Sequence, residues 1–319
     1  MKYLIINADD FGANICRNRG IAEAVDTGVV TSVSVLVNGP AFDDALARLP
    51  AWQGRGVSVG LHVNLSEGYP VCKGLSVLPD DHGCFRGKSS THKLLMQKGN
   101  HELEREVALE IEAQIGLLES KAIRISHLDG HQHVHVFPAV IGAAVRAAQR
   151  HGIVWLRIPE ETATVPPSLY MKIPPTPLCQ RGVGGDFHAS LRSPSGMDVG
   201  EEESSLLKRE ANKFIRLAAA ARPFLKGSGI RTTDHFRGLY LKGRLSFPRL
   251  EELLNDLSVG ITELMVHPGR APAGSGQGPF AAFSNVDREG ELNVLLDPRL
   301  LKVLKEEGVF LTPYPEIQS

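Results

Sequence analysis

Cysteine is scarce. The 319-residue chain has four, Cys16, Cys72, Cys84 and Cys179, and no two form a C-x-x-C pair. That scatter argues against a disulfide framework or a zinc finger, so free thiols in a reducing compartment are expected. Excess charge of either sign is also missing. Lys and Arg total 35 against 36 Asp and Glu, a formal net charge of −1, which gives no basic field for nucleic acid or an anionic membrane. No apolar run approaches the ~20 residues of a bilayer span. The N-terminus turns polar after Leu4-Ile5-Ile6, too soon for a secretory signal, and a cytoplasmic location is expected. Aromatic residues make up 6%, with two Trp, so no stripe of rings for stacking sugars is evident. There is no G-x-G-x-x-G, Walker A loop, G-x-S-x-G elbow or Cys/His nucleophile pattern, so dinucleotide, NTP, serine and thiol chemistry lack support. What the chain does have is 42% hydrophobic residues, enough for a large core, and 12 His, four of them between positions 127 and 135.

Short β-branched runs at 3–8, 30–38, 57–65, 123–128, 153–158, 229–236, 261–266 and 309–312 alternate with helix-like segments. The latter lie at 15–27, 41–49, 101–119, after Pro138, and at 202–221, 247–257 and 297–306. Leu103, Val107, Ile111 and Ile115 recur every fourth residue with charges between them, which predicts an amphipathic helix. Residues 159–200 are rich in Pro, Gly and Ser and read as an irregular insertion; 268–280 is a Gly/Pro/Ala loop. Seven or eight β-then-α units imply a parallel sheet with right-handed crossovers. The first strand run ends in Asp9-Asp10-Phe11-Gly12 rather than a glycine fingerprint, which favours a closed barrel over an open dinucleotide-binding sheet. No composition break marks a linker, so residues 1–319 are expected to form a single domain.

The apolar runs end in polar residues. These are Asn7, Asp9 and Asp10; His62 and Asn64; His127, Asp129 and His131; Arg157 and Glu160; Asp234 and His235; and His267. In a (β/α) barrel the C-terminal strand ends converge on one mouth, which carries the chemistry. Asp9-Asp10 alone would suit a strand-end turn. Adjacent carboxylates after a buried strand repel unless a cation is near, and neighbouring residues of an extended strand point different ways, so the two can divide labour. Four His around Asp129 favour metal binding, with His131, His133 and His135 on one side if the stretch is extended. His62 joins Asp10 and this tract as a candidate ligand. Arg157 would be costly in a barrel mouth unless it faced a carboxylate, and Asp9 is the obvious one.

Four strings together resemble the YdjC-type carbohydrate deacetylases, the group that includes chitooligosaccharide deacetylases. They are Leu4-Ile5-Ile6-Asn7-Ala8-Asp9-Asp10-Phe11-Gly12, Gly60-Leu61-His62-Val63-Asn64-Leu65, the 127–135 tract and His267-Pro268-Gly269. The stretch from Thr31 to Gly39 is similar to the family's second strand. The resemblance runs from residue 2 to about 310 and is weakest in insertions at about 66–100 and 159–228. It implies a distorted TIM-like α/β barrel, one divalent metal and removal of N-acetyl groups from amino sugars. By position, Asp10, His62 and His131 would hold the metal and Asp9 would be the base. Arg157 would orient Asp9, and a protonated His267 would donate to the departing amine. Two imidazoles and a carboxylate suit Zn, Mn or Co better than Mg, although relatives are often described with Mg. The expected partner is an acetylated oligosaccharide or amino sugar, with a homodimer as the one further option. The alternatives are a metal-dependent phosphoesterase on a similar barrel and a non-catalytic sugar-binding barrel.

Overall fold

In chain order the elements are β1 (Lys2–Phe11), α1 (Ile15–Asp26), β2 (Ser32–Val35), α2 (Phe42–Leu46), α3 (Leu49–Gly54), β3 (Ser58–Val63), α4 (Gly87–Leu95) and α5 (His101–Glu119). Then come β4 (His127–Gly130), a 3-10 helix (His131–Val136), α6 (Ile141–Arg150), β5 (Trp155–Leu156), α7 (Val199–Leu225) and β6 (His235–Arg237). The chain finishes with α8 (Phe247–Asn255), β7 (Gly260–Val266), α9 (Val286–Leu295), α10 (Arg299–Glu306) and β8 (Val309–Leu311). The computed structural model describes residues 1–161, 199–271, 279–280 and 286–315. Cys179 and most of the segments 159–200 and 268–280 lie outside the described residues.

The strands form one parallel sheet in the order β5-β4-β3-β2-β1-β7-β6. Trp155 of β5 makes an isolated parallel bridge to Arg231, four residues before β6, through Arg231 N–H to Val154 O (2.7 Å) and Leu156 N–H to Arg231 O (2.9 Å). The sheet is thus curled into the distorted barrel the sequence suggested. β8 pairs in parallel with β1 at Lys2–Leu4, while β2 joins β1 only from Asn7 onward, so the last strand fills the split between the first two.

Period-2 alternation explains the layers. Leu4, Ile6 and Ala8 pack in the main core, whereas Ile5 clusters with Trp155 and Tyr314 inside the barrel floor. Asn7 and Asp9 follow Ile5 on that inner face. In the same way Leu61 and Leu128 join the main core, while His62 and Asp129 meet each other inside. In β1 the inner face is apolar at Ile5 and turns polar at Asn7 and Asp9 as it nears the mouth.

α5 forms where the fourfold period predicted it. Leu103, Val107, Ile111 and Ile115 are fully buried, and the Asn100 side chain caps the helix by accepting from Leu103 N–H, an interaction typically worth ~1 kcal/mol. Its intervening charges are not all solvated, however. Glu106 accepts backbone N–H groups of Ser76, Val77 and Leu78, and Glu110 those of Val71 and Cys72, fastening the insertion after β3 to the barrel wall. Two further expectations are corrected, and a helix at 286–295 adds to the elements that the sequence pattern marks. The 229–236 run contributes only a bridge and the start of β6. The 131–135 stretch is not extended but coiled as the 3-10 helix, with Gln132 and His133 both at positive φ (54° and 57°). Among the described residues, no helix is long and apolar enough to cross a membrane.

Candidate metal and catalytic centre

The adjacent aspartates are separated by a bulge rather than by simple pleating. Ala8 pairs with Val33 and Phe11 with Val35, so β1 carries one residue more than β2 across this step. Asp10 takes up the extra length at φ 67°. Asp and Asn tolerate this left-handed region better than most residues. Without the bulge Asp10 would turn into the helix layer; with it, both carboxylates reach the mouth.

Asp10 Oδ1 lies 2.8 Å from His131 Nδ1 and 3.4 Å from His62 Nε2. One donor atom from each of Asp10, His62 and His131 falls within 4.8 Å of the others, and all three residues are buried. Such spacing suits an ion bound at ~2.0–2.2 Å by nitrogen and oxygen donors. His131 Nε2 is buried and makes no hydrogen bond among the described residues, with Glu67 Oε1 3.8 Å away. The other carboxylate oxygen, Asp10 Oδ2, accepts from Arg288 (2.6 Å) and lies 3.6 Å from Arg17. Burial alone would raise the Asp10 pKa, but His131 and Arg288 outweigh it and hold the carboxyl well below its usual range. Burial would likewise depress His62, yet Asp129 and Asp9 push it up to about 10. These residues could hold a metal ion. A second close group, Asp9, His62 and Asp129, shares His62, but its carboxylates already have a cation in Arg157.

Arg157 sits inside the barrel with no exposure of its side chain. It donates to Asp9 through Nη1 to Oδ2 and Nη2 to Oδ1, both 2.8 Å. Nη1 also meets Asp129 Oδ2 at 2.8 Å, while Nε and Nη2 meet Glu263 Oε1 at 2.7 and 2.6 Å. These contacts match the five N–H donors of a guanidinium. Burial is unfavourable for the charge, but the three carboxylates more than compensate and raise its pKa well above normal. Asp129 in turn accepts from His62 Nδ1 (2.8 Å) and from the Ser34 hydroxyl (2.8 Å). That fixes His62 with Nε2 toward Asp10.

Asp9 accepts from Arg157 twice and from Asn7 Nδ2 once (2.8 Å). A carboxylate offers about four lone-pair directions, so one on Oδ2 is left. Oδ2 lies 4.0 Å from His62 Nε2 and 3.9 Å from His267 Nε2. His267 is anchored by its backbone N–H to Glu291 Oε2 (2.6 Å). Burial first, and then the Arg288 charge, push its pKa well below the usual histidine range, so it is neutral at rest rather than protonated.

The structure therefore brings together all six residues singled out as a site: Asp9, Asp10, His62, His131, Arg157 and His267. They surround or support a cavity of about 140 Å³, lined also by Glu67, Lys88, His133, Phe214, Lys242 and Arg288. Other strand-end residues go elsewhere. Glu160 pairs with Arg222 of α7. Asp234 accepts from Ile261 N–H (2.8 Å), and His235 donates to Val259 O (3.2 Å). His235 pairs in register with Thr262, so both lie at the far end of the barrel from His267. His127 bonds Ser34 and Ser126 and stacks on Tyr314 (4.0 Å). His135 donates to Arg157 O (3.0 Å).

Sequence reasoning gave no role to Glu263, Arg288, Glu67 or Ser34. Glu263 had a signal, a carboxylate amid the apolar run 261–266. The others had none, since each sits in a segment of ordinary polarity. Glu67 is placed by an Asn64-based turn, in which Asn64 Oδ1 accepts from Ser66 N–H (2.9 Å) and Glu67 N–H (3.2 Å). Its carboxylate then accepts from Gln132 Nε2 (2.7 Å) and Phe280 N–H (2.7 Å).

Comparison with known proteins follows the same outline. The family model described as YdjC-like protein matches residues 3–306. A human protein named carbohydrate deacetylase is 36% identical, the alignment covering 99% of this chain and 91% of the relative. The mouse protein of that name is also 36% identical, with 99% and 95% covered. Among solved structures, an Enterococcus faecalis protein titled a putative cellobiose-phosphate cleavage protein shares the fold. Its TM-score is 0.66 at 23% identity, covering 98% of this chain and 97% of that one.

Proposed function

Because the chain belongs to the YdjC-like family, we propose that it is a metal-dependent carbohydrate deacetylase, hydrolysing N-acetyl groups of amino sugars or their oligosaccharides. The observation that carries this reading is the division between the two aspartates. Asp10 faces His62 and His131, while Asp9 is locked by Arg157 with its remaining lone pair toward His267.

In this reading Asp10, His62 and His131 would hold one divalent ion. The donor set favours Zn, Mn or Co over Mg. Such an ion supplies Lewis acidity for the acetyl carbonyl and acidifies a water. Asp9, kept in one orientation by Arg157 and Asn7, accepts the proton as the water attacks. His267 then protonates the departing amine, a step that an amide leaving group requires. Since His267 rests neutral, the proton it donates arrives during turnover, and Asp9 Oδ2 at 3.9 Å is the source. The net change is one amide bond and one water exchanged for an acetate and an amine.

The test is acetate release from N-acetylated chitooligosaccharides before chelation, after it, and with Zn, Mn, Co or Mg restored. Turnover is expected to vanish on chelation and return with metal. Asp9→Asn should lower kcat by ~10²–10⁴ while leaving metal stoichiometry unchanged. Unchanged turnover in Asp9→Asn sinks the base role. Faster hydrolysis of a nitrophenyl phosphate than of the acetylated sugar returns the choice to a phosphoesterase.

A further inference from the structure

Of the three histidines of the tract that this chemistry leaves unused, His127 and His135 are hydrogen-bonded within the barrel and His133 is not. It is 7% exposed and lines the cavity beside the metal-ligand set. Its backbone is left-handed (φ 57°, ψ 28°), as is that of Gln132 before it (φ 54°, ψ 27°). Two successive non-glycine residues there must be held by something else. For Gln132 the return is visible, since its amide reaches Glu67 and its carbonyl meets His92 Nε2 (3.2 Å). For His133 there is no such return. Nδ1 is buried without a partner, and the imidazole makes no hydrogen bond among the described residues. Its faces are well packed, with Phe214 of α7 at 4.5 Å and Phe236 of β6 edge-on at 6.5 Å.

A phenylalanine would meet those ring contacts equally well. A polar ring in a strained turn, on the wall of the cavity and with no hydrogen-bond partner among the described residues, is arranged to meet a partner from outside them. We propose that His133 is a substrate-binding residue that hydrogen-bonds a hydroxyl of the amino sugar next to its acetamido group. The role rests on the deacetylase reading above. A sugar hydroxyl both donates and accepts, so it satisfies either tautomer of a neutral imidazole. Phe214 would pack along the same sugar, making α7 of the 159–228 insertion part of substrate choice.

The experiment compares metal-loaded wild type with His133→Phe on N,N′-diacetylchitobiose, by acetate release and by ligand-detected NMR binding. The variant keeps the ring packing and removes both nitrogens. We expect KM and the binding constant to weaken about 10-fold, with a smaller change in kcat and with metal stoichiometry and Tm unchanged. A kcat/KM and affinity within about twofold of wild type overturn the proposal. If the wild type binds the disaccharide without releasing acetate and the variant loses that binding, the deacetylase reading fails and the proposal stands. A wild type that neither binds nor hydrolyses it overturns both. As a check that needs no folded variant, the ¹⁵N signals of the His133 ring in the wild type should shift on adding disaccharide; unmoved signals at saturation count against the proposal.

Discussion

Asp129 illustrates how much of a metal site lies in residues that do not touch the ion. It holds His62 through Nδ1 and shares Arg157 with Asp9, so one carboxylate sets both the ligand's tautomer and the position of the guanidinium that orients the base. Asp129→Asn keeps the shape but, no longer an anion, cannot hold His62, Ser34 and Arg157 together. Metal affinity should fall ~10–100-fold, measurable by titration with a fluorescent chelator as competitor. Affinity equal to wild type would mean that His62 is oriented by packing alone. The sequence showed Asp129 plainly, between His127 and His131, but gave no way to see that its partner is Arg157, which comes from the next strand.

Among the elements, the short strands depend on close approach. Gly60, two residues before His62 on β3, is the clearest case. A Cβ there would stand 2.3 Å from His127 Cε1 and Nε2, and that ring is backed by Tyr314 at 4.0 Å and cannot retreat. Gly60→Ala should destabilise by ~1–3 kcal/mol as an overpacked interior, read from urea unfolding, and should lower activity per folded molecule by shifting His62. Stability at or above wild type would show that β3 and β4 can part. Element types were legible where periodicity was long and one-sided, as in α5, and where strand runs were continuous, as in β1 and β7. Boundaries were not. The register of β4 runs to Gly130 because its pairing with β3 continues through residues that composition alone marks as strand ends. α9 escaped notice because its buried face includes Arg288 and Glu291, whose polarity hides the helical stripe.

At the level of the whole molecule, a polar interior makes stability depend on pH. His92, His127 and His135 are all pushed down to about 3, chiefly by burial, with Lys213 adding to the effect at His92. An unfolded histidine titrates near 6.5, so below that pH the unfolded chain binds protons that the folded chain does not. Stability from these groups is therefore full above ~6.5 and falls as pH drops toward 3. The slope can reach ~4 kcal/mol per pH unit if all three titrate together. Thermal unfolding from pH 7.5 to 4 should show a steep loss beginning near 6.5; a flat profile to pH 5 would mean that these rings protonate without unfolding.

By itself the sequence determined the α/β order, the parallel sheet, the absence of spanning helices and the identity of the polar residues at the strand ends, because each is a local pattern of period, composition or motif. Only the tertiary structure decided which of those residues meet. Curling the sheet brings β1, β3, β4, β5 and β7 around one axis. The bulge at Asp10 turns a second carboxylate into the mouth. The left-handed turn at Gln132 and His133 breaks the alternation that an extended tract would have had. Asp234 and His235 look equally chemical on paper but enter the barrel at its other end. Side-chain direction and the end of the barrel a residue reaches are set by register between distant strands, and register is a property of pairing that a single strand's sequence does not carry.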